Sequence, residues 1–303
     1  MSQIRSLDQL VQSLKDQPSR RLAVAAGHDP NTIRAAVTAA SEGIAAVTLV
    51  GDGTRIRQLC RQFGLDTGLL TIVDEPDLLA AGARAVALVR DGEADVLMKG
   101  LIATSDYMKL ILHKENGLLP TGRVLSHVSV FELPAYVASH DKLLFAADVA
   151  IIPLPDQATK VQILQYCLQA ARSFGVKEPR AALIAATEKV SARMPATVEA
   201  AAISAMGGFG DAIVEGPLAL DVALSPEACE IKGLRSRVGG RADVLVFPNI
   251  ETGNVFYKAS TLLAGARLAA AVVGTSAPCV LTSRADSEES KFLSIALGCR
   301  LAT

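Results

Sequence analysis

The sequence predicts an α/β protein of two lobes, in which parallel sheets are covered by helices. Three observations carry that prediction. The chain has 303 residues, about twice the 100 to 200 of a usual single domain. Half of them are hydrophobic and 20% are charged, the balance of a globular chain and not of a disordered, collagen-like or disulfide-stapled one. Short β-rich runs alternate with Ala-rich helical stretches, and such alternation builds parallel sheets with right-handed crossovers.

Taken in order, Ile4, Leu7, Leu10, Val11 and Leu14 fall at helical spacing. Charges throughout this segment leave no apolar block of the kind an export signal needs, so a cytoplasmic protein is expected. Leu22 to Ala26 reads as a strand, a helix follows Asp29-Pro30, and Ala46 to Val50 returns as a strand, which makes one β-α-β unit. Thr71 to Val73, a helix from about Pro76 to Arg90, and Val96 to Met98 continue the pattern. Between Gly117 and Leu144 the character changes: Val124 to Phe131 alternates, Pro134 and polar residues interrupt, and Val149 to Ile152 reads as the next strand. A crossing between lobes is placed at about 135–150. Beyond it come a helix over Gln157 to Phe174, a strand over Ala181 to Ile184 and a helix over Ala196 to Met206. A strand at Val244 to Phe247 leads to a helix from about Gly253 to Leu263. Ala269 to Val273 and Cys279 to Leu281 are strands, and a last helix runs from about Asp286 to Ala296.

Composition excludes several classes of partner. Lys plus Arg total 30 against 31 Asp plus Glu, and no polybasic run marks a nucleic-acid footprint. The most apolar window, Leu262 to Leu281, is broken by Arg267 and by Gly274 to Pro278, so no membrane span is expected. The five cysteines are scattered, with no CxxC or Cys/His ligand spacing. They read as reduced thiols, and no metal site is expected.

Open α/β sheets bind ligands at the carboxyl ends of their strands, where helix N-termini offer unpaired N–H groups. Four such ends carry polar or glycine residues. Lys99 and Gly100 end an apolar strand, the glycine permitting close approach beside an ammonium, or else Lys99 is a solvated lysine at a strand end. Glu215-Gly216-Pro217 ends another. After Phe247, Thr252-Gly253-Asn254 opens a helix, with Lys258 a turn inward, a corner that suits a phosphate or carboxylate or else is an ordinary cap and turn. Ser283 and Arg284 deliver a hydroxyl and a guanidinium to a strand end, where arginine can clamp an anion through two hydrogen bonds. Asp286 and Glu289 have the spacing of a capping box. Arg123 and His127 fall in the irregular stretch, each either a contact to an anion or, more plainly, a surface ion pair and a structural imidazole. There is no GxSxG elbow and no phosphate-binding GxxxxGK[ST] loop, and Gly51-Asp52-Gly53 lacks the third glycine of a dinucleotide fingerprint, Ile56 standing there.

The strings ALVRDGEADVLMKGLIAT, LLPTGRVLSHVSVFELP, FGVKEPRAALIAATEKV, EGPLALDVALS, ADVLVFPNIETGNVFYK and PCVLTSRADSEESKFLSIA resemble the phosphate acetyltransferase and phosphate butyryltransferase family, and are most similar to its butyryl-type branch. The resemblance spans about residues 20 to 300. It implies an isocitrate/isopropylmalate dehydrogenase-like fold, two three-layer α/β/α lobes around a cleft, with 1–140 plus 276–303 in the first and 141–275 in the second. It implies a homodimer that transfers a short acyl group between coenzyme A and inorganic phosphate, acyl-CoA and phosphate being the partners and no cofactor being tightly bound. The family's serine-arginine pair matches Ser283-Arg284, its Asn-x-x-x-Gly-Asn corner matches Asn249, Gly253 and Asn254, and its strand-end glycine matches Gly100. In acetyl-type enzymes an aspartate seven positions after the serine is proposed to accept the thiol proton. Ser290 stands there in this chain, which leaves Asp286 and Glu289 as the neighbouring carboxylates. Two other readings are a non-catalytic acyl-CoA or phosphate-ligand binding protein and a metal-dependent β-decarboxylating dehydrogenase. The second needs clustered aspartates, and no D-x-x-x-D occurs at a strand end.

Overall fold

The structure, a computed structural model, describes residues 2–282 and 286–302. The chain divides into two compact units. One comprises Leu7–Leu125 and the segment from Ala269 onward, and the other the first residues up to Ser6 with Ser126–Leu268. Sequence reading set the crossings at 140/141 and 275/276.

The terminal unit opens with α1 (Leu7–Lys15), whose buried face is Leu7, Leu10, Val11 and Leu14. Then come β1 (Arg20–Ala25), α2 (Pro30–Ser41), β2 (Ala45–Gly51), α3 (Gly53–Phe63), β3 (Leu70–Asp74), α4 (Leu78–Arg90), β4 (Val96–Lys99) and α5 (Thr104–Ile111). Aspartates start three of this unit's α-helices. Asp29, Asp52 and Asp77 each accept a hydrogen bond from a backbone N–H of the first turn, which satisfies donors that the helix cannot.

The middle unit holds β5 (Ser126–Glu132), α6 (Pro134–His140), β6 (Leu144–Ala147), α7 (Gln157–Ser173), β7 (Arg180–Ile184), α8 (Pro195–Met206), β8 (Ile213–Leu218), α9 (Leu220–Leu224), α10 (Pro226–Ile231), β9 (Val244–Val246) and α11 (Ile250–Leu262). Its strand order is β5-β6-β9-β7-β8, antiparallel only between β5 and β6. β10 (Arg267–Val273) begins here and continues in the terminal unit, where β11 (Cys279–Val280) and α12 (Glu288–Leu301) complete the described chain. The terminal unit's order is β3-β2-β1-β4-β11-β10, with β10 antiparallel to β11. Leu22, Ala23, Val24 and Ala25 of β1 and all four residues of β4 are buried, the unalternating pattern of strands covered on both faces.

Four expectations give way, one of them that Glu215-Gly216-Pro217 ends a strand, since the triplet lies within β8. Val149 to Ile152 is not a strand; β6 ends at Ala147. The Asp148 carboxylate draws in the amides of Ala150 and Ile151 at 2.7 and 2.8 Å, and that turn cannot extend into a ladder. The helix after Phe247 begins at Ile250, not Gly253, because Asn249 caps it. The last helix begins at Glu288 with Ser287 as cap, so Asp286 lies before it and the Asp286/Glu289 spacing forms no capping box. No described helix is long and apolar enough to cross a membrane.

Candidate functional site

In the terminal unit the chain builds β1, β2 and β3 outward in one direction and then returns to lay β4 on the other side of β1. Such a reversal opens a crevice at the strand ends. β1 leaves it through Ala26 at φ 55°, and the Gly100 and Leu101 amides reach back to the carbonyls of Ala25 and Ala26 at 2.8 and 2.9 Å. A Cβ on Gly100 would lie 2.3 Å from the Ala26 carbonyl oxygen and 2.8 Å from that of Ala25, so the two strand ends meet only because residue 100 has no side chain. Lys99 is buried, and its ammonium donates to the Gly100 carbonyl at 3.1 Å. His28 follows β1. Burial holds its imidazole below the ordinary range against the pull of Asp52 and Asp29, and its Nδ1 is buried without a hydrogen-bond partner among the described residues.

The next strand end in this unit is that of β11. Thr282 is buried there, and its hydroxyl accepts a hydrogen bond from the Lys291 ammonium at 3.1 Å. Ser283 and Arg284 lie outside the described residues. Asp286 is half-buried; Glu289 is exposed in the first turn of α12. Ser290 belongs to the cap, its amide bonded to the Ser287 hydroxyl at 3.1 Å. Arg123 is exposed, at the end of a turn in which its amide bonds the Pro120 carbonyl.

In the middle unit Asp148 meets two of the sequence-predicted residues, His127 and Gly253. One carboxylate oxygen accepts from Ala150 and Ile151, and the other from the Ser126 hydroxyl at 3.1 Å and the His127 amide at 3.3 Å. Gly253 presses on the Asp148 backbone, where a Cβ would stand 2.1 Å from the carbonyl oxygen. The Asn254 amide group donates to the Val149 carbonyl at 3.1 Å. Asn249 Oδ1 accepts from both the amide and the hydroxyl of Thr252, at 3.0 and 2.7 Å. His127 is buried beside the Ser129 hydroxyl and meets Tyr257 edge-on. Lys258 is exposed, its ammonium 4.9 Å from the Tyr257 ring centre, a cation–π contact. Next to Asn249 and Thr252 lies an apolar hollow of about 780 Å³, whose walls include Ile184, Met194, Leu220, Phe247, Val255 and Phe256.

The structure thus collects Asn249, Thr252, Gly253, Asn254 and His127 in one unit, and Lys99 and Gly100 in the other. Sequence reading missed Asp148, Lys291 and Thr282. For Asp148 a signal existed, an aspartate inside the otherwise apolar run Ala146 to Ile152. The capping role of Asn249 has a measurable consequence: Asn249→Ala is expected to destabilise the protein by about 1 kcal/mol, read as a lower urea midpoint with unchanged slope.

The five cysteines are buried and free, and burial raises every one of their thiols, those of Cys279 and Cys299 to about 12. None is poised as a thiolate nucleophile. Among the described residues no group of three or more His, Cys, Asp or Glu side chains could hold a metal ion.

Parallel strand ends that carry a buried lysine, a glycine pressed on backbone and a capped helix start are those of an open α/β protein, in which ligands bind at such ends. Comparison narrows the class. Residues 77–299 match the family model described as phosphate acetyl/butaryl transferase. The chain is 41% identical over 302 residues to the phosphate butyryltransferase of Clostridium acetobutylicum, with 99% of each covered. It is 39% identical to the phosphate acetyltransferase of Thermotoga maritima, covering 96% of this chain and 98% of that one. Among solved structures, a branched-chain phosphotransacylase from Enterococcus faecalis superposes with a TM-score of 0.82 at 34% identity, covering 93% of this chain and 99% of that chain. The chain belongs to the phosphate acetyl/butyryl transferase family, and it is an acyltransferase.

Proposed function

We propose that this enzyme transfers a short-chain acyl group, butyryl- or acetyl-like, reversibly between coenzyme A and inorganic phosphate. The observation that carries this reading is the 41% identity with a phosphate butyryltransferase along almost the whole of both chains. Coenzyme A enters as a substrate, and no tightly bound cofactor is required.

The chemistry assigns work to the matched residues. In the direction of acyl-CoA synthesis the thiol, with an ordinary pKa of about 8.5, is mostly protonated at neutral pH. Its proton passes to a carboxylate, Asp286 or Glu289 in this reading, since residue 290 is serine. The sulfur then attacks the carbonyl carbon of the acyl phosphate, the C–S bond forms, and the bond from carbon to the phosphate oxygen breaks. Arg284 holds the charge of the departing phosphate and Ser283 donates to the sulfur or the developing oxyanion. Lys99, Arg123, His127 and Lys258 are the further side chains for anionic parts of the substrates, while Gly100 and the Asn249, Thr252, Gly253 and Asn254 corner shape the strand ends. Direct transfer needs no protein thiol, in keeping with five thiols whose pKa values are raised by burial.

The finer architecture belongs to the same proposal: three-layer lobes of the isocitrate/isopropylmalate dehydrogenase kind, in a cytoplasmic homodimer. Val198 and Met206 on α8, Val255 and Leu262 on α11, and Leu263 just beyond it are exposed apolar side chains. A second copy would cover such exposed apolar side chains, which is in keeping with the proposed dimer. The direct test measures free thiol released from acetyl- through valeryl-CoA with and without phosphate. Release is expected to depend on phosphate and to be fastest with butyryl-CoA. Release without phosphate, or none with any chain length, overturns the reading.

A further inference from the structure

A lysine on the packed face of a helix calls for a reason. Lys291 is 4% exposed on α12, among Leu293, Ile295, Ala296 and Leu297. A leucine or methionine there would fill the space without the cost of removing an ammonium from water, which is several kcal/mol unless the charge is compensated. Its hydrogen bond is to Thr282, the residue immediately before Ser283 and Arg284. Its charge is answered from two further places: Asp29, the cap of α2, and Asp286, in the approach to α12. α2 itself packs against α12. The ammonium therefore ties α12 to the chain just beyond β11 through Thr282. Burial pushes it below the ordinary lysine range, while Asp29 and Asp286 oppose that shift and favour its charged form.

We infer that Lys291 is a positioning residue, which fixes Thr282 just beyond β11, the residue to which the Ser283-Arg284 pair is joined in sequence. The inference rests on the reading above that this pair acts on the substrates. Lys291 itself touches neither thiol nor phosphate in this account. Its contribution is to remove the freedom that the strand exit would otherwise have, and small displacements of catalytic groups cost large factors in rate.

The experiment has two arms, so that failure of the anchor and failure of the functional reading are told apart. Hydrogen exchange of the intact protein tests the anchor alone. In Lys291→Met, peptides covering 279–287 are expected to exchange at least tenfold faster than in wild type, with β1 and β4 unchanged. Unchanged exchange in 279–287 overturns the inference. The kinetic arm compares phosphate-dependent release of CoA. Lys291→Met is expected to lower kcat at least 30-fold with KM for acyl-CoA within threefold, and its unfolding midpoint, measured beside wild type, is expected to fall only modestly, the protein remaining folded in dilute buffer. Lys291→Arg, which keeps charge and donors, is expected to recover most of the rate. Thr282→Val is expected to act in the same direction, and the double variant to be no worse than Lys291→Met alone, as two partners in one contact require. A Lys291→Met enzyme with kcat within threefold of wild type overturns the inference. A wild type with no phosphate-dependent release sinks the functional reading instead, and the exchange arm still decides the anchor.

Discussion

Arg284→Ala is expected to lower kcat by about a thousandfold, the scale seen when a donor to a developing negative charge is removed. The reason lies in the charge that moves. As acyl transfer proceeds toward acyl-CoA, phosphate gains the bonding electrons of the breaking C–O bond, and in the proposed mechanism the Arg284 guanidinium stabilises that charge more than it stabilises the bound reactant. Arg284→Lys is expected to recover only part of the loss, because an ammonium keeps the charge but not the planar two-pronged geometry. Steady-state rates in both directions, at saturating CoA and phosphate, check this. Wild-type turnover by Arg284→Ala would remove the residue from the mechanism.

Gly253→Ala is the second large effect, and its sign is the informative part. Inside a helix an alanine ordinarily stabilises over glycine by about 1 kcal/mol. At residue 253 the added methyl would lie 2.1 Å from the carbonyl oxygen of Asp148, a backbone atom that cannot swing aside as a side chain would. Overpacking of this kind typically costs 1–3 kcal/mol, so a net loss of about 2 kcal/mol is expected in place of a gain. The same shift would pull Asp148 from the amides of Ala150, Ile151 and His127 and disturb the Asn254 contact to Val149. Activity is therefore expected to fall at least a hundredfold while the protein remains folded in dilute buffer. A urea midpoint equal to or higher than wild type would contradict this account.

Much of the fold was legible because it rests on local signals. Leu22 to Ala26 and Val96 to Met98 are short apolar runs that a parallel sheet buries on both faces, and Asp29-Pro30 announces the start of a helix. Reading failed where one side chain overrode its neighbours. Val149 to Ile152 has the composition of a strand, yet the Asp148 carboxylate claims two of its amides, and nothing in that stretch says where the aspartate will point. α3 escaped because its apolar residues are few, Ile56, Leu59 and Cys60 facing inward amid charged and amide side chains. The glycines at 100 and 253 were found as motif positions. Their physical necessity, a backbone oxygen within 2.3 and 2.1 Å of a would-be Cβ, comes from chain segments far away in sequence. Lys291 was invisible for the same reason: its partners are nine residues back, across the strand exit, and on a helix more than 250 residues earlier.

The depth at which the cysteines sit has a practical corollary. An enzyme that handles a free thiol as substrate must keep its own sulfur out of mixed disulfides with that substrate. Here every thiol is buried, and burial raises its pKa. Exchange with oxidised coenzyme A is therefore disfavoured, and a disulfide chromogen added to native enzyme is expected to report the coenzyme alone.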